Sequence, residues 1–423
     1  MDAFRFPESF SLGVASAATQ VDGDCKNSNW YDWYQKGHIK DGFDPDVATM
    51  HRKFLREDTE LMASMGIGHY RFGLEWARIE PREGVFSDGE FDKIREEILL
   101  LREKGISVLV TIHHFSNPLW FEEKGGFLSP DSLQIFLRLT EQVVEKLGDL
   151  VSEYITINEP NVYAVSGYLG GDFPPGENKL LKTLKVIKNM GVCHRRAYER
   201  IHALREKMGY TDTRVGFAHH MRAFAPYHPR NPWYRLCANA SEYLFQGQIS
   251  KSYLLGPAGD KGRYADFLGL NYYSRTASKG FADGTFPGVP VNDLGWEIYP
   301  QGMVDCCRKL HAILPELPIY ITENGTADNS DAFRTRFLYE HIKVLCESGL
   351  PVTRYYHWCF VDNFEWLEGF TARFGIVALN TETMERTVKG SGRFYQRMIE
   401  NRGVTAEMAA AAMEEAYPIG AYH

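Results

Sequence analysis

Short apolar runs alternate with longer amphipathic segments along most of this chain, and that alternation limits the folds it can adopt. Eight of the apolar runs have the length and the content of β-branched and aromatic residues expected of strands. Most are apolar at nearly every position, which is typical of parallel strands covered on both faces. The candidate strands are FSLGVASAATQ (10–20), HYRFGLEWARI (69–79), SVLVTIHH (107–114), YITINEP (154–160), RVGFAHHM (214–221), FLGLNYY (267–273), PIYITENG (318–325) and VTRYYHWCFVDN (352–363).

Amphipathic segments with helical periodicity fill the intervals between these runs, and the first three end at Gly66, Gly105 and Gly148. Eight strands with intervening helices predict an α/β fold, a (β/α)8 TIM barrel. No linker rich in Gly, Pro or Ser divides the 423 residues, so we predict a single domain over residues 1–423. We expect loops on the active-site face at 226–232 and 279–300. The predicted helices cover 54–65, 88–104, 131–147, 180–208, 240–255, 302–314 and 331–347.

Charge and hydropathy exclude several kinds of partner. The formal net charge is -8, with acidic and basic residues interspersed, whereas nucleic-acid binding needs a clustered basic face. No apolar run is long enough to span a membrane, and the N-terminal MDAFRFPESF lacks the pattern of a secretory signal. We therefore expect a cytoplasmic protein with no nucleic-acid or membrane partner.

Two of the candidate strands end in an acid, Glu159 and Glu323. The Asn324-Gly325 pair after the second acid is also a strong hairpin signal, and an acid before a turn is usually just solvated. In a barrel, however, the fourth and seventh strands lie nearly across the lumen from each other. Because functional groups collect at the carboxyl ends of barrel strands, both carboxylates can project into one crevice.

Other polar side chains occupy matching strand ends. A crevice surrounded by amides, an imidazole, a phenol and two acids suits a substrate covered in hydroxyl groups. These residues are Gln20, His114, Asn158, Asn271 and Tyr273.

Several short motifs, in this order along the chain, resemble those of the family 1 glycoside hydrolases, the β-glucosidase and β-galactosidase group. The acid/base motif of that family is similar to Asn158-Glu159-Pro160, and its nucleophile motif to Thr322-Glu323-Asn324-Gly325. The resemblance extends over essentially the whole chain. The other similar segments are YRF (70–72), His114, NYY (271–273), GWEIYP (295–300) and DNFEW (362–366).

The resemblance implies a retaining β-glycosidase that acts on terminal β-linked glucosides, galactosides or related sugars and needs no cofactor or metal. Paired carboxylates protonate the leaving group and stabilise the oxocarbenium-like centre of glycoside cleavage. Glu323 would attack the anomeric carbon, and Glu159 would act as acid and then as base. In retaining enzymes the two carboxyls lie roughly 5 to 5.5 Å apart.

Supporting roles are also implied by the resemblance. Arg71 would keep Glu323 ionised, although it could instead pair with Glu75. Tyr273 would orient the nucleophile, and Asn158 would hold the sugar 2-hydroxyl. The remaining assignments are Asn271 as a supporting residue, Gln20, His114, Glu365 and Trp366 at the other hydroxyls, Trp358 as a stacking floor and Trp296 as an aglycone platform.

Structural explanations compete with some of these roles. Clusters of aromatic residues are usually core, and we assign Phe360 and Phe364 to the core. His114 could be an ordinary strand-end histidine. Two positions depart from the family pattern: Asp22 stands where the family usually has glutamate, and Phe115 where many members have tryptophan.

Alternative functions remain at this stage. Glu365, together with Ala372 and Phe374, argues against 6-phosphorylated sugars, because a carboxylate repels a phosphate. Glu159 argues against a thioglucosidase, which lacks the acid. The alternatives are a catalytically silent carbohydrate-binding homologue, an inverting or endo-acting glycosidase, or another β-glycosidase specificity such as β-fucosidase or β-mannosidase. Glucosides and galactosides are not distinguished.

Overall fold

The computed structural model describes residues 2–260 and 262–420, and its centre is a closed barrel of eight strands that follow one another in chain order. Neighbouring strands are parallel, and the first pairs with the last: Ala15 lies opposite both Arg71 and Trp358. The predicted (β/α)8 barrel is therefore confirmed. Its strands are β1 (Ser11–Ala15), β2 (His69–Gly73), β3 (Ser107–His113), β4 (Glu153–Asn158), β5 (Arg214–Pro226), β6 (Leu268–Ser278), β7 (Ile319–Asn324) and β8 (Val352–Trp358).

Long helices connect the strands and cover the outside of the barrel. They are α1 (Leu55–Ser64), α2 (Asp88–Glu103), α3 (Ser132–Leu147), α4 (Leu180–Lys207), α5 (Pro232–Glu242), α6 (Gln248–Leu255), α7 (Pro300–His311), α8 (Arg334–Cys346) and α9 (Gly390–Asn401).

Short elements complete the described chain. Two small antiparallel pairs join Phe4–Arg5 to Gly403–Val404 and Val377–Leu379 to Arg386–Val388. The short helical segments are Ala18–Val21, Asn29–Gln35, Trp76–Ile79, Leu119–Glu123, Gly126–Leu128, Pro160–Val165, Ser166–Gly170, Tyr243–Gly247, Trp366–Glu368 and Ala406–Glu414.

Three predicted strands are too long at their carboxyl ends. The first strand ends at Ala15, and Gln20 lies on the one-turn helix that follows it. The second ends at Gly73, because the Glu75 carboxylate accepts a hydrogen bond from the backbone N–H of Ala77 and caps a short helix there. Apolar residues in these segments are buried by helical turns instead of by the sheet. The last strand ends at Trp358.

The helix predicted at 240–255 begins earlier, at Pro232. Asn231 accepts hydrogen bonds from the first turn and Pro232 occupies the first helical position, a combination that favours a helix start. A π turn at Tyr243–Gly247 separates α5 from α6. The helices Gly390–Asn401 and Ala406–Glu414 had no predicted counterpart.

Strands β5 and β6 extend beyond the rim of the barrel, and their pairing continues to Pro226 opposite Ser278. They raise one wall of the opening at the carboxyl ends of the strands. In contrast, Asn324-Gly325 leads into a loop and then α8, so no hairpin forms. A Cβ atom on Gly325 would collide with the carbonyl of Trp358, which explains why glycine stands there.

No helix in residues 2–260 and 262–420 is long and apolar enough to cross a membrane.

Candidate active site

A cavity of about 310 Å³ opens at the carboxyl ends of the barrel strands. Its walls include eight of the residues singled out from the sequence. Gln20, Arg71, Asn158 and Asn271 lie directly behind them and contact them through hydrogen bonds. The eight wall residues are His114, Glu159, Tyr273, Trp296, Glu323, Trp358, Glu365 and Trp366.

The Glu323 carboxylate receives two short hydrogen bonds. Arg71 Nη1 donates to Oε1 at 2.6 Å, and the Tyr273 hydroxyl donates to Oε2 at 2.6 Å. The competing pairing of Arg71 with Glu75 does not occur, because the Glu75 carboxylate accepts hydrogen bonds from Thr19 and Ser116. A charged and a phenolic donor on one carboxylate favour its ionised form.

Arg71 also holds neighbouring strands in place. Its Nη1 donates to the Thr322 carbonyl at 2.9 Å, and its Nε donates to Thr111 Oγ1 at 3.1 Å. Nη2 donates to Asn158 Oδ1 at 2.6 Å. Since the side chain is fully buried and all three of its nitrogens are bonded, its position is fixed.

Glu159 follows β4 directly and starts the short helix Pro160–Val165. Its backbone has φ +42°, a conformation that costs a residue with a side chain about 1–3 kcal/mol. Its Oε1 accepts hydrogen bonds from Asn271 Nδ2 at 2.8 Å and from His220 Nδ1 at 3.0 Å. Neither His220 Nδ1 nor Asn271 Nδ2 donates to the other carboxylate oxygen of Glu159, Oε2.

Asn271 is oriented by a hydrogen bond on its other side. The Thr322 hydroxyl donates to Asn271 Oδ1 at 2.6 Å, which leaves Nδ2 to donate to Asn158 Oδ1 as well as to Glu159. The two strand-end acids are thus connected through one continuous network that also includes Arg71.

The two carboxyls titrate as a pair, because each is buried and each disfavours a second negative charge nearby. Burial, assisted by the charge of Glu159 and opposed by Arg71, raises the pKa of Glu323 to about 7. Burial also acts to raise the pKa of Glu159, but contacts with His220 and Asn271 outweigh it and leave this pKa lowered. The pair therefore keeps one proton up to near neutral pH.

Further polar side chains lie at the other end of the cavity. Gln20 Nε2 donates to the Phe364 carbonyl at 2.8 Å and to Glu365 Oε2 at 3.2 Å. Its buried Oε1 has no hydrogen-bond partner in the described structure. Burial raises the pKa of Glu365 to about 8. Such incompletely satisfied groups are available to a ligand with hydroxyls.

Aromatic rings surround this polar end. His114 lies between Trp358 and Trp366, with ring centroids 5.8 and 5.9 Å away, and its Nε2 is 3.0 Å from Asn158 Nδ2. Trp296, which is 38% exposed, lies at the outer edge against Tyr273. Phe360 and Phe364 are buried in the hydrophobic core, in agreement with their predicted assignment.

The site thus combines paired acids with a deep polar pocket. Within the described ranges, no group of three His, Cys, Asp or Glu side chains is arranged to hold a metal ion. Two carboxyls, one of them with a cationic and a phenolic donor, provide the groups needed for acid-assisted cleavage of a glycosidic bond.

The sequence matches the family model described as "Glycosyl hydrolase family 1" over residues 3–266 and 258–404. The chain belongs to glycosyl hydrolase family 1.

Curated relatives in family 1 are named for β-glycosidase activity. The chain is 30% identical to "Beta-glucosidase A" of Thermotoga maritima, over 96% of this chain and 100% of the relative. It is 28% identical to the "Beta-galactosidase" of Pyrococcus woesei, over 95% of this chain and 98% of the relative. The protein is a family 1 β-glycosidase.

Solved family 1 structures have the same fold. A β-glycosidase from Pyrococcus horikoshii superposes with a TM-score of 0.88 at 32% identity, covering 97% of this chain and 98% of its own. A β-glucosidase from Thermotoga maritima, solved with glucoimidazole, has a TM-score of 0.88 at 28% identity, covering 95% of this chain and 100% of its own.

The two departures from the family 1 pattern have different consequences. Asp22 lies outside the cavity and forms an ion pair with Arg78, so its shorter side chain does not alter the cavity wall. Phe115 lines the pocket at φ +65°, with its ring 5.2 Å from that of Trp366. Of the two, only Phe115 lies on the wall of the cavity.

The structure adds wall residues that the sequence analysis missed. These are His220 and Arg222, which lie at the rim beside Glu159. Phe374, which the sequence analysis used only as an argument against phosphorylated sugars, also lines the cavity and packs against Trp296. His220 stands near the end of a predicted strand, and the same signal that selected His114 would have found it. Phe374 comes from a loop after β8, where no strand-end signal exists.

Proposed function

We propose that this family 1 enzyme is an exo-acting retaining β-glycosidase for unphosphorylated glucosides, galactosides or related sugars. One observation carries the proposal. The Glu323 carboxylate accepts hydrogen bonds from Arg71 and Tyr273, whereas Glu159, which follows β4, is bonded through Oε1 and has neither of these donors on Oε2. One carboxylate is thereby suited to attack and the other to carry a proton. A single domain over residues 1–423 would perform the reaction.

The first step forms a bond between Glu323 and the anomeric carbon. The glycosidic C–O bond breaks as Glu159 gives its proton to the departing oxygen. The alcohol leaves, and a covalent glycosyl-enzyme remains. The raised pKa of Glu323 and the lowered pKa of Glu159 put the shared proton on Glu323 in the free protein. We propose that it lies on Glu159 when substrate is bound, because the departing oxygen then faces Glu159 while Arg71 and Tyr273 stabilise the ionised Glu323.

In the second step water replaces Glu323 at the anomeric carbon. Glu159, now ionised, accepts a proton from this water, and the Glu323 carboxylate is released. Two displacements at the same carbon return the β configuration. His220 Nδ1 and Asn271 Nδ2 donate to the Glu159 carboxylate and stabilise its charge in this step.

The sugar itself is held by the inner end of the cavity. Gln20, His114 and Glu365 would bind its hydroxyls, with Asn158 at the 2-hydroxyl and Trp366 assisting. Trp358 would stack under the ring. Curated relatives named as β-glucosidases and β-galactosidases support both sugars as candidates.

The aglycone would leave the cavity past Trp296. This ring is partly exposed and, together with Phe374 and Leu294, makes an apolar wall on the outer side of the acids. An aromatic aglycone would stack there.

Replacing Glu323 with alanine tests the nucleophile. We expect activity to collapse and added azide to restore it, giving an α-glycosyl azide, because azide would attack from the side that Glu323 vacates. A β-glycosyl azide, or activity that persists without azide, would contradict the assignment. Glu153→Ala is the matched control, because Glu153 is also a buried glutamate but lies at the start of β4, at the other end of the barrel.

Replacing Glu159 with alanine tests the acid. Dinitrophenyl glycosides have a good leaving group, so they should still glycosylate Glu323, whereas alkyl glycosides should not react. Equal loss on both kinds of substrate would rule out an acid role.

A panel of nitrophenyl β-glucoside, β-galactoside, β-fucoside and β-mannoside, compared by kcat/KM, identifies the preferred sugar. Binding without turnover by the wild-type protein would indicate a silent homologue.

A further inference from the structure

His220 has a direct contact with one of the two acids and no role in the steps above beyond that contact. It lies in β5, is 8% exposed, and its Nδ1 is 3.0 Å from Glu159 Oε1. The Asn161 side chain donates to the His220 carbonyl at 2.9 Å, which fixes the backbone at this point. The imidazole is therefore held against the carboxyl by its own strand and by the helix that follows Glu159.

The tautomer of His220 is set by its other neighbour. Arg222 Nε donates to His220 Nε2 at 3.2 Å. A guanidinium has only donors, so Nε2 must accept and the ring proton must sit on Nδ1. The Nδ1–H group consequently donates to Glu159.

Arg222 is itself held in place. Its Nη1 donates to Asp283 Oδ2 at 3.0 Å, and its guanidinium lies 5.1 Å from the ring of Phe245. These contacts form a continuous chain of hydrogen bonds from the loop after β6 to the acid: Asp283, Arg222, His220, Glu159.

Few other titratable groups face the imidazole. From β6, the Tyr273 ring stacks on it at 5.8 Å, while the Tyr273 hydroxyl donates to Glu323. From the π turn, Phe245 meets it edge-on at 5.9 Å. The charged groups around His220 are therefore Glu159 and Arg222 directly, and Asp283 and Glu323 behind them.

We propose that His220 is a positioning residue for Glu159, and that Arg222 and Asp283 fix its tautomer. The inference rests on the proposed acid/base role of Glu159. The His220 Nδ1–H group and Asn271 Nδ2 both donate to Glu159 Oε1. Glu159 Oε2 is therefore left to face the glycosidic oxygen. After proton transfer the same donor stabilises the carboxylate. It moves no proton itself.

The test is the pH profile of kcat/KM in His220 variants, which a merely structural role would not shift. His220→Phe keeps a ring but removes the donor, so the carboxylate loses a stabilising hydrogen bond and the pair holds its proton more tightly. The basic limb should move upward by about one pH unit, the size expected for one charge-assisted bond. His220→Asn, which returns an N–H near the same place, should restore the limb to within about 0.3 unit.

His219→Asn is the matched control. His219 precedes His220 in the sequence and is also buried, but it contacts the Gln246 carbonyl and lies outside the cavity. Its pH profile should stay unchanged. Arg222→Gln should move the basic limb upward by a smaller amount than His220→Phe does. This variant provides the test if His220→Phe does not fold. A limb that stays in place in both His220→Phe and Arg222→Gln, or moves downward, would overturn the inference.

A second readout does not depend on turnover. In protein labelled with ¹³C at the glutamate carboxyls, the resonance lost in Glu159→Gln identifies Glu159, and its titration should move to higher pH in His220→Phe. Wild-type protein without any glycosidase activity would refute the proposed function alone, while an unmoved Glu159 titration would refute the role of His220 alone.

Discussion

Strand β4 has a buried glutamate at its start, Glu153, and another just beyond its end, Glu159. At the start, Arg354 Nη1 lies 2.9 Å from Glu153, Arg214 lies 3.7 Å away, and the Tyr320 hydroxyl donates at 3.1 Å. This single carboxylate has two guanidinium partners, so its charge is fully compensated.

At the other end the balance is reversed. Among the described residues, the cavity wall carries the carboxyls of Glu159, Glu323, Glu365 and Glu368. Arg71 pairs with Glu323 and the exposed Lys40 with Glu368, whereas no arginine or lysine pairs with Glu159 or Glu365. Burial raises the pKa of Glu365 to about 8, and it raises that of Glu323 to about 7 despite the nearby Arg71 guanidinium. The comparison teaches that a fully compensated carboxylate stabilises one end of the barrel, whereas the incompletely compensated carboxyls at the other end hold protons near neutral pH, as the proposed proton transfer requires.

The strongest way to break this comparison is to remove the arginine from each end. Arg71→Met should lower kcat/KM by about 10²- to 10³-fold, because Glu323, the proposed nucleophile, loses its charged donor. Arg354→Met should leave kcat/KM nearly unchanged. Both should lower the free energy of unfolding, by about 3–5 kcal/mol for Arg71→Met, which leaves Glu323 without a cationic partner, and by less for Arg354→Met, because Arg214 still faces Glu153. Denaturant unfolding and kinetics on nitrophenyl glycosides check both values.

The outcome that would contradict the comparison is a similar loss of activity in both variants. It would mean that the arginines act through general stability and not through the charge at one end.

Glu365 tests the sugar side of the uncompensated end. Glu365→Ala should lower kcat/KM by about 10²-fold, since two hydrogen bonds to a sugar hydroxyl pair are lost. On a deoxy substrate that lacks those hydroxyls, the variant and the wild type should have nearly the same kcat/KM. A full effect of Glu365→Ala on that deoxy substrate would show that the residue shapes the site and does not contact the sugar.

The shared proton predicts the pH dependence. The reaction needs one proton on the pair of acids, and burial raises the pKa of Glu323 to about 7. As pH rises through about 7 this proton is lost, so kcat/KM should fall by about tenfold per unit above that pH. A kcat/KM that stays flat to pH 9 would contradict the pairing of the two carboxyls.

The smallest effect is expected at the exposed edge of the cavity. Trp296→Ala should raise KM for aryl glycosides by about three- to tenfold and leave kcat nearly unchanged, because the ring would contact only the aglycone. Methyl glycosides, which have no aromatic aglycone, are the control substrate. A larger loss in kcat than in KM would place Trp296 nearer the reacting bond.

The sequence predicted the barrel and both acids because each acid directly follows a buried apolar run. It failed where the chain leaves the sheet early. Gln20 lies on the one-turn helix Ala18–Val21, and Asp22 follows that helix as its C-cap with a helical backbone conformation. Residues two apart on a helix point about 200° apart. One therefore contacts Glu365 and the other pairs with Arg78 outside the pocket. Periodicity of a strand cannot predict that divergence.

Contacts between distant segments were also beyond the sequence. Arg71 was assigned to Glu323 by resemblance, and the alternative of Glu75 could be decided only when Thr19 and Ser116 were seen to occupy that acid. The contact of Phe374 with Trp296 depends on two loops that meet at the cavity, and neither loop has a sequence pattern that predicts this contact.

The most direct test of the central claim, that Glu323 is the nucleophile of a retaining enzyme, is to trap the covalent intermediate. A 2-deoxy-2-fluoro-β-glycoside with a good leaving group should inactivate the enzyme, and mass spectrometry of its peptides should find one fluoroglycosyl group on Glu323. The same label on Glu159, or an α-configured first product with no labelled peptide, would contradict the assignment of Glu323 as the nucleophile of a retaining enzyme.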